Sequence, residues 1–248
     1  MSVDRFRRGM SLVEMLVVIT IVAVLIALLI PALGVVRVRA DAAKIRTDLR
    51  TLVQAGTMFT NDHDGQLPAP ADPEYVGGQD FADPPLPYFH FEEVWRQEWG
   101  VEYLGLNTID DDPMLHDYQD GQRIPYLYSG ACFSAPVFWD GKTERTEAML
   151  VPQRSASVTY PAQKAMFVSA MQSGRMQMIA YNYPDGDGTP VFEGRVPFGL
   201  VDGHADFFAP GRLAPPDWRG DFGEPWAWLG LPVHGLCTAD GVRGMDIK

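Results

Sequence analysis

Four groups of residues in this chain have the types and spacing to do chemistry. Asp202-Gly203-His204-Ala205-Asp206 gathers two carboxylates around one imidazole, the makings of a general base or of a zinc site. No third ligand stands near it in sequence. Asp-Gly is also one of the strongest two-residue hairpin signals, so a turn accounts for these residues better than a metal-dependent hydrolase does. Tyr183-Pro184-Asp185-Gly186-Asp187-Gly188-Thr189 alternates carboxylates on a glycine-rich loop and offers the hard oxygens that Ca2+ takes. The closing bidentate Glu of an EF-hand is missing, so a plain acidic turn stands beside a Ca2+ site at Asp185 and Asp187. No other cofactor is called for. Cys132 and Cys237 are the only cysteines, and a disulfide between them would remove about 4–5 kcal/mol of loop entropy from the unfolded chain. The fourth group is a single carboxylate, Glu14, at the lip of a long apolar run. Ser/His/Asp order, H-E-x-x-H, the P-loop and the dinucleotide fingerprint are all absent, and an enzyme is not expected.

Glu14 needs an explanation because of its place in the chain. Residues 15–33 are apolar except for Thr20 and Pro31, and about 20 such residues suffice to cross a bilayer. A charge beside a membrane helix costs a few kcal/mol unless it finds a partner. A secretory signal peptide would need a small-residue cleavage site after the apolar core, and Ala32-Leu33-Gly34 is a poor one. A plain anchor gives Glu14 no purpose.

The run Arg7-Arg8-Gly9-Met10-Ser11-Leu12-Val13-Glu14 with its apolar sequel resembles the prepilin signature of type IV pilins and type II secretion pseudopilins. The resemblance implies that a prepilin peptidase cuts between Gly9 and Met10 and that the new N-terminal residue is methylated. Glu14 then lies four residues from the freed amine, where it would meet the amine of a neighbouring subunit. Pro31 falls where many members of the family carry a helix-bending proline. The implied partners are the peptidase, other copies and minor pseudopilins through the helix, the inner membrane, and indirectly an assembly platform and ATPase. The segment 197–208 resembles the strand-turn-strand of G-like pseudopilins, and residues 61–68 resemble the helix exit of that group. A Ca2+ site in the C-terminal loops of G-type members gives the Asp185–Asp187 loop its interest.

The elements that must position these residues form an α+β fold: one long N-terminal helix packed on an antiparallel sheet. Residues 1–9 are the leader, 10–61 the helix, and 62–248 an extracytoplasmic head. Val38, Ala42, Ile45, Leu49, Leu52, Gly56 and Phe59 step by four and three along one face, while Arg39, Lys44, Arg46, Asp48 and Arg50 take the others. The stripe suits packing on a domain better than a coiled-coil dimer, having only about three heptads. Asn61-Asp62-His63-Asp64-Gly65 ends the helix with turn chemistry, and Pro68 comes soon after. An irregular insertion is expected over 67–120, with a short helix at 91–99 and an acidic turn at Asp110-Asp111-Asp112. Strands are expected at 124–129, 165–171 and 176–182. A hairpin with Asp202-Gly203 as its loop would pair Leu200 with Ala205 and Phe198 with Phe207, turning all four toward the helix. The tail 209–248 is rich in Trp and Pro and shows no period.

Charge divides along the same line. The first 50 residues hold 8 basic and 4 acidic side chains, and the rest hold 12 and 28, a net charge of −16. Such a head is soluble and repels nucleic acid and anionic lipid. Basic residues flank the span on both sides, so the leader rather than the positive-inside rule sets the orientation. The expected location is the bacterial inner membrane, crossed once, with the head outside. A filament subunit is the principal reading. A binding module that borrows the leader for export and anchoring is the alternative.

Overall fold

The computed structural model describes residues 12–69, 89–90, 99–106, 126–140, 142–143, 146–169, 171–172, 175–176, 195–214 and 239–248. Two compact units divide the chain, residues 1–42 and 43–248. One helix, α1, runs from Leu12 to Asp62 and contributes to both.

From Met15 to Val36 α1 is apolar on every face, and the side chains from Leu12 to Val36 are exposed. A helix apolar all round is a membrane span or a core helix, and this stretch is long and apolar enough to cross a membrane. The hydroxyl of Thr20 donates back to the carbonyl oxygens of Val17 at 2.8 Å and Leu16 at 3.0 Å, so the one hydroxyl in the run is satisfied within its own helix. Pro31 stands inside α1 without ending it.

The second unit is α+β. Its strands are β1 Phe89–His90, β2 Tyr126–Ser129, β3 Ala165–Ser169, β4 Met171–Gln172, β5 Arg175–Met176, β6 Val196–Leu200 and β7 Ala205–Phe208. The main sheet has the order β1-β2-β3-β6-β7 and is antiparallel throughout. The short strands β4 and β5 pair separately. Of the expected strands, residues 126–129 and 165–169 are strand, 124, 125 and 170 lie outside the described residues, and of 176–182 only Met176 is described. The helix expected over 91–99 lies outside the described residues except for Trp99, which precedes a short helix α2, Val101–Tyr103.

Every residue of β3 and β6 is buried, so the centre of the sheet meets water on neither face. One cover is the second half of α1. Its buried residues are Ile45, Asp48, Leu49, Leu52, Val53, Ala55, Gly56 and Thr60, a stripe broader than the expected one. Asp48 is a correction: the sequence pattern puts it on an outer face, yet it is buried and accepts a 2.7 Å hydrogen bond from the Tyr126 hydroxyl. A buried carboxylate is tolerable only when so partnered. The helix ends as expected. Asp64 and Gly65 take positive φ, and the Gly65 amide reaches back to the Thr60 carbonyl at 2.9 Å.

The hairpin differs from expectation by one residue. Phe198 lies opposite Asp206 and Gly199 opposite Ala205, and Val201-Asp202-Gly203 form a three-residue loop with Gly203 at φ 97°. The Gly203 amide bonds the Leu200 carbonyl, and the Leu200 amide bonds the His204 carbonyl at 2.7 Å. A one-residue slip turns a strand over. Gly199, not Phe198 or Leu200, therefore faces α1. A Cβ at Gly199 would stand 2.7 Å from Val53 Cγ2 and 3.2 Å from the Leu49 carbonyl oxygen. The bulky neighbours on β6 could not take this place.

Gly199→Ala should lower the unfolding midpoint in denaturant, at a cost of about 1–3 kcal/mol for an overpacked core. Gly211→Ala, with nothing within 4 Å of its added methyl, should leave the midpoint nearly unchanged. Equal midpoints for the two variants would contradict the close approach of α1 to β6.

Candidate functional site

The N-terminal site begins with Glu14, in the first turn of α1, where the helix dipole favours a carboxylate. The freed amine expected at Met10, and Gly9 beside it, lie outside the described residues. Pro31 withholds its own amide from the Ala27 carbonyl, which weakens the helix locally without interrupting it.

In the D-G-H-x-D cluster only Asp202 meets the imidazole. Asp202 Oδ1 accepts the His204 backbone amide at 3.0 Å, and Oδ2 lies 2.7 Å from His204 Nδ1. These contacts brace the turn. The His204 side chain is 77% exposed, and Asp206 turns to Arg46 instead. Among the described residues no group of three His, Cys, Asp or Glu side chains is placed to hold a metal ion. Asp185 and Asp187 lie outside those residues. So does Cys237, the other cysteine. Cys132 itself is wholly buried, and burial pushes its thiol up to about 12, against the opposing pull of Tyr128 and Lys164.

Three polar contacts organise the head that no sequence motif marks. Arg46 Nη2 bonds Asp206 Oδ1 at 2.8 Å, and its guanidinium lies 5.3 Å from the Phe207 ring centre, so one cation joins α1 to the edge strand β7. Asp48 and Tyr126 join α1 to β2. Lys164 Nζ bonds Asp246 Oδ1 at 2.8 Å with neither side chain exposed. The Asp246 amide and the Ile247 amide both donate to the Gln163 carbonyl, and the Ala214 amide donates to the Asp246 carbonyl. Gly241, at φ 52°, sits against Trp139. Residues 239–248, unreadable by periodicity, are therefore part of the core. The one clue in sequence is an aspartate beside an apolar Ile247, too common a pair to interpret.

A long N-terminal helix, half of it apolar and half laid on an antiparallel sheet, is the arrangement of a pilin-like α+β protein. Residues 4–30 match the family model described as the prokaryotic N-terminal methylation motif, so the chain carries a prepilin-type signature on a helix fit to anchor it in a membrane. No curated protein and no solved structure matches the chain.

The Arg46–Asp206 pair sets a pH dependence. Burial alone would raise the Asp206 carboxyl; the Phe207 amide and the Arg46 guanidinium outweigh it and hold the group below its ordinary value of 3.8. A carboxylate depressed in the folded state stabilises fully above its unfolded pKa and loses that contribution as pH falls through the folded one. Asp206→Asn should therefore reduce stability at neutral pH, by less than about 1 kcal/mol for so exposed a pair. The gap from the parent should close below pH of about 4. A gap unchanged in acid denaturation would contradict the pairing.

Proposed function

We propose that this protein is a structural subunit of a type IV pilus-like filament or type II secretion pseudopilus, and not an enzyme. The observation that carries the reading is the uncovered apolar half of α1, with a single carboxylate in its first turn, next to a match for the methylation motif. A lipid-soluble helix fused to an acidic head serves two states. In the inner membrane lipid covers the helix; in a filament neighbouring helices replace the lipid. The head lies outside the cytoplasm in both.

In this reading a prepilin peptidase cuts between Gly9 and Met10, and the freed amine acquires a positive charge. Glu14 of one subunit then pairs with the amine of the next as both leave lipid. A paired charge in a dry bundle costs far less than a lone one, so the pair fixes the axial register of assembly. Pro31 supplies a point at which the helix adjusts to its neighbours. The DGH turn and the helix exit at 61–68 support the G-like pseudopilin branch. The alternative of an anchored binding module draws on Trp218, Trp226 and Trp228, which lie outside the described residues.

N-terminal sequencing of protein from sheared surface material and from inner membrane tests this directly. A chain beginning at methylated Met10 is expected, and an uncleaved Met1 in both fractions would overturn the reading. Gly9→Glu should block cleavage, seen as a protein that keeps its nine leader residues on a gel. Glu14→Ala should insert and be cleaved normally yet form no filament; filaments at parental yield by electron microscopy would remove the role of Glu14.

A further inference from the structure

The Lys164–Asp246 contact has the geometry of a reaction as well as of an ion pair. Both side chains are completely buried, and Nζ lies 2.8 Å from Oδ1, one bond from the carboxyl carbon. The other oxygen, Oδ2, accepts the backbone amide of Ala165 at 2.8 Å. Their chain neighbours Ala165, Met166, Val242 and Ile247 are buried and apolar.

We propose that Lys164 and Asp246 become joined by an intramolecular amide bond, formed by the folded head without another enzyme. The Lys164 ammonium passes a proton to Asp246 Oδ1, the freed Nζ lone pair attacks Cγ and a C–N bond forms. Negative charge develops on Oδ2, where the Ala165 amide is already aimed, as in an oxyanion hole. The hydroxyl containing Oδ1 takes a proton from the nitrogen, the C–O bond breaks, and one water leaves. No oxidant, reductant or activating group is consumed. The fold supplies proximity, for which effective molarities on the order of 10^5 M or more are known in well-oriented pairs. Cys132 does not compete, because only a thiolate is a good nucleophile and burial keeps this thiol protonated.

The bond would clamp the segment at Asp246 to the start of β3, the middle strand of the sheet. The test is mass spectrometry of the full-length protein, purified folded in detergent, then denatured, reduced and digested with trypsin. The expected product is one branched peptide containing both Lys164 and Asp246, lighter by one water than its two linear parts. Lys164→Arg preserves the charge but not the chemistry, and its digest should lack the branch. Recovery of Lys164 and Asp246 only in separate linear peptides from the folded parent would overturn the proposal. A branch of the same mass that persists in Lys164→Arg would overturn it as well.

Discussion

The head depends on how closely α1 can lie against β6. At Gly199 the helix backbone and the Val53 methyl occupy the space a side chain would need. That contact decides the hairpin register, because a slip of one residue would present Phe198 or Leu200 to the helix instead. With the register set, Ala205 lies opposite Gly199 and Asp206 opposite Phe198. Asp206 and Phe207 are thereby brought to Arg46, and the edge strand is tied to the helix. Gly56 marks a second close approach further along, where a Cβ would meet the flexible end of Met166. Two missing side chains let a helix and a sheet share one core.

Much of this was legible in the sequence for a simple reason. Period and punctuation act locally, so the apolar run, the stripe on α1, the turn at residues 61–65 and the strands at 126–129 and 165–169 arise from neighbours in the chain. The Asp-Gly turn was legible as a turn. Its register was not, because local preference favours a two-residue loop and the deciding contact lies about 150 residues away in α1. Asp48 was misplaced for the same reason. Charge predicts an outer face, and only the Tyr126 hydroxyl across the interface makes its burial acceptable. The methylation motif at residues 4–30 was legible because it is a linear layout rather than a fold.

The tail shows the opposite limit. Residues 239–248 form turns and bridges rather than a periodic element, and what holds them is a set of long-range partners: Lys164, Gln163, Arg212 and Trp139. A lysine at the mouth of a strand and an aspartate 82 residues later give no pattern. Buried ion pairs gain little stability over apolar packing, but breaking one strands a charge in the core. Such a pair defines where a segment must dock more than how firmly it holds.

That docking imposes an order on synthesis. The apolar half and the stripe of α1 leave the ribosome early, while Asp246, which completes the core around Lys164, emerges about 180 residues after α1 ends. Contacts so distant in sequence are slow to form, and domains fold as units once their parts are present. The helix is thus available to enter lipid long before the head has its full interior. A helix fit to anchor the chain is complete before the head can close.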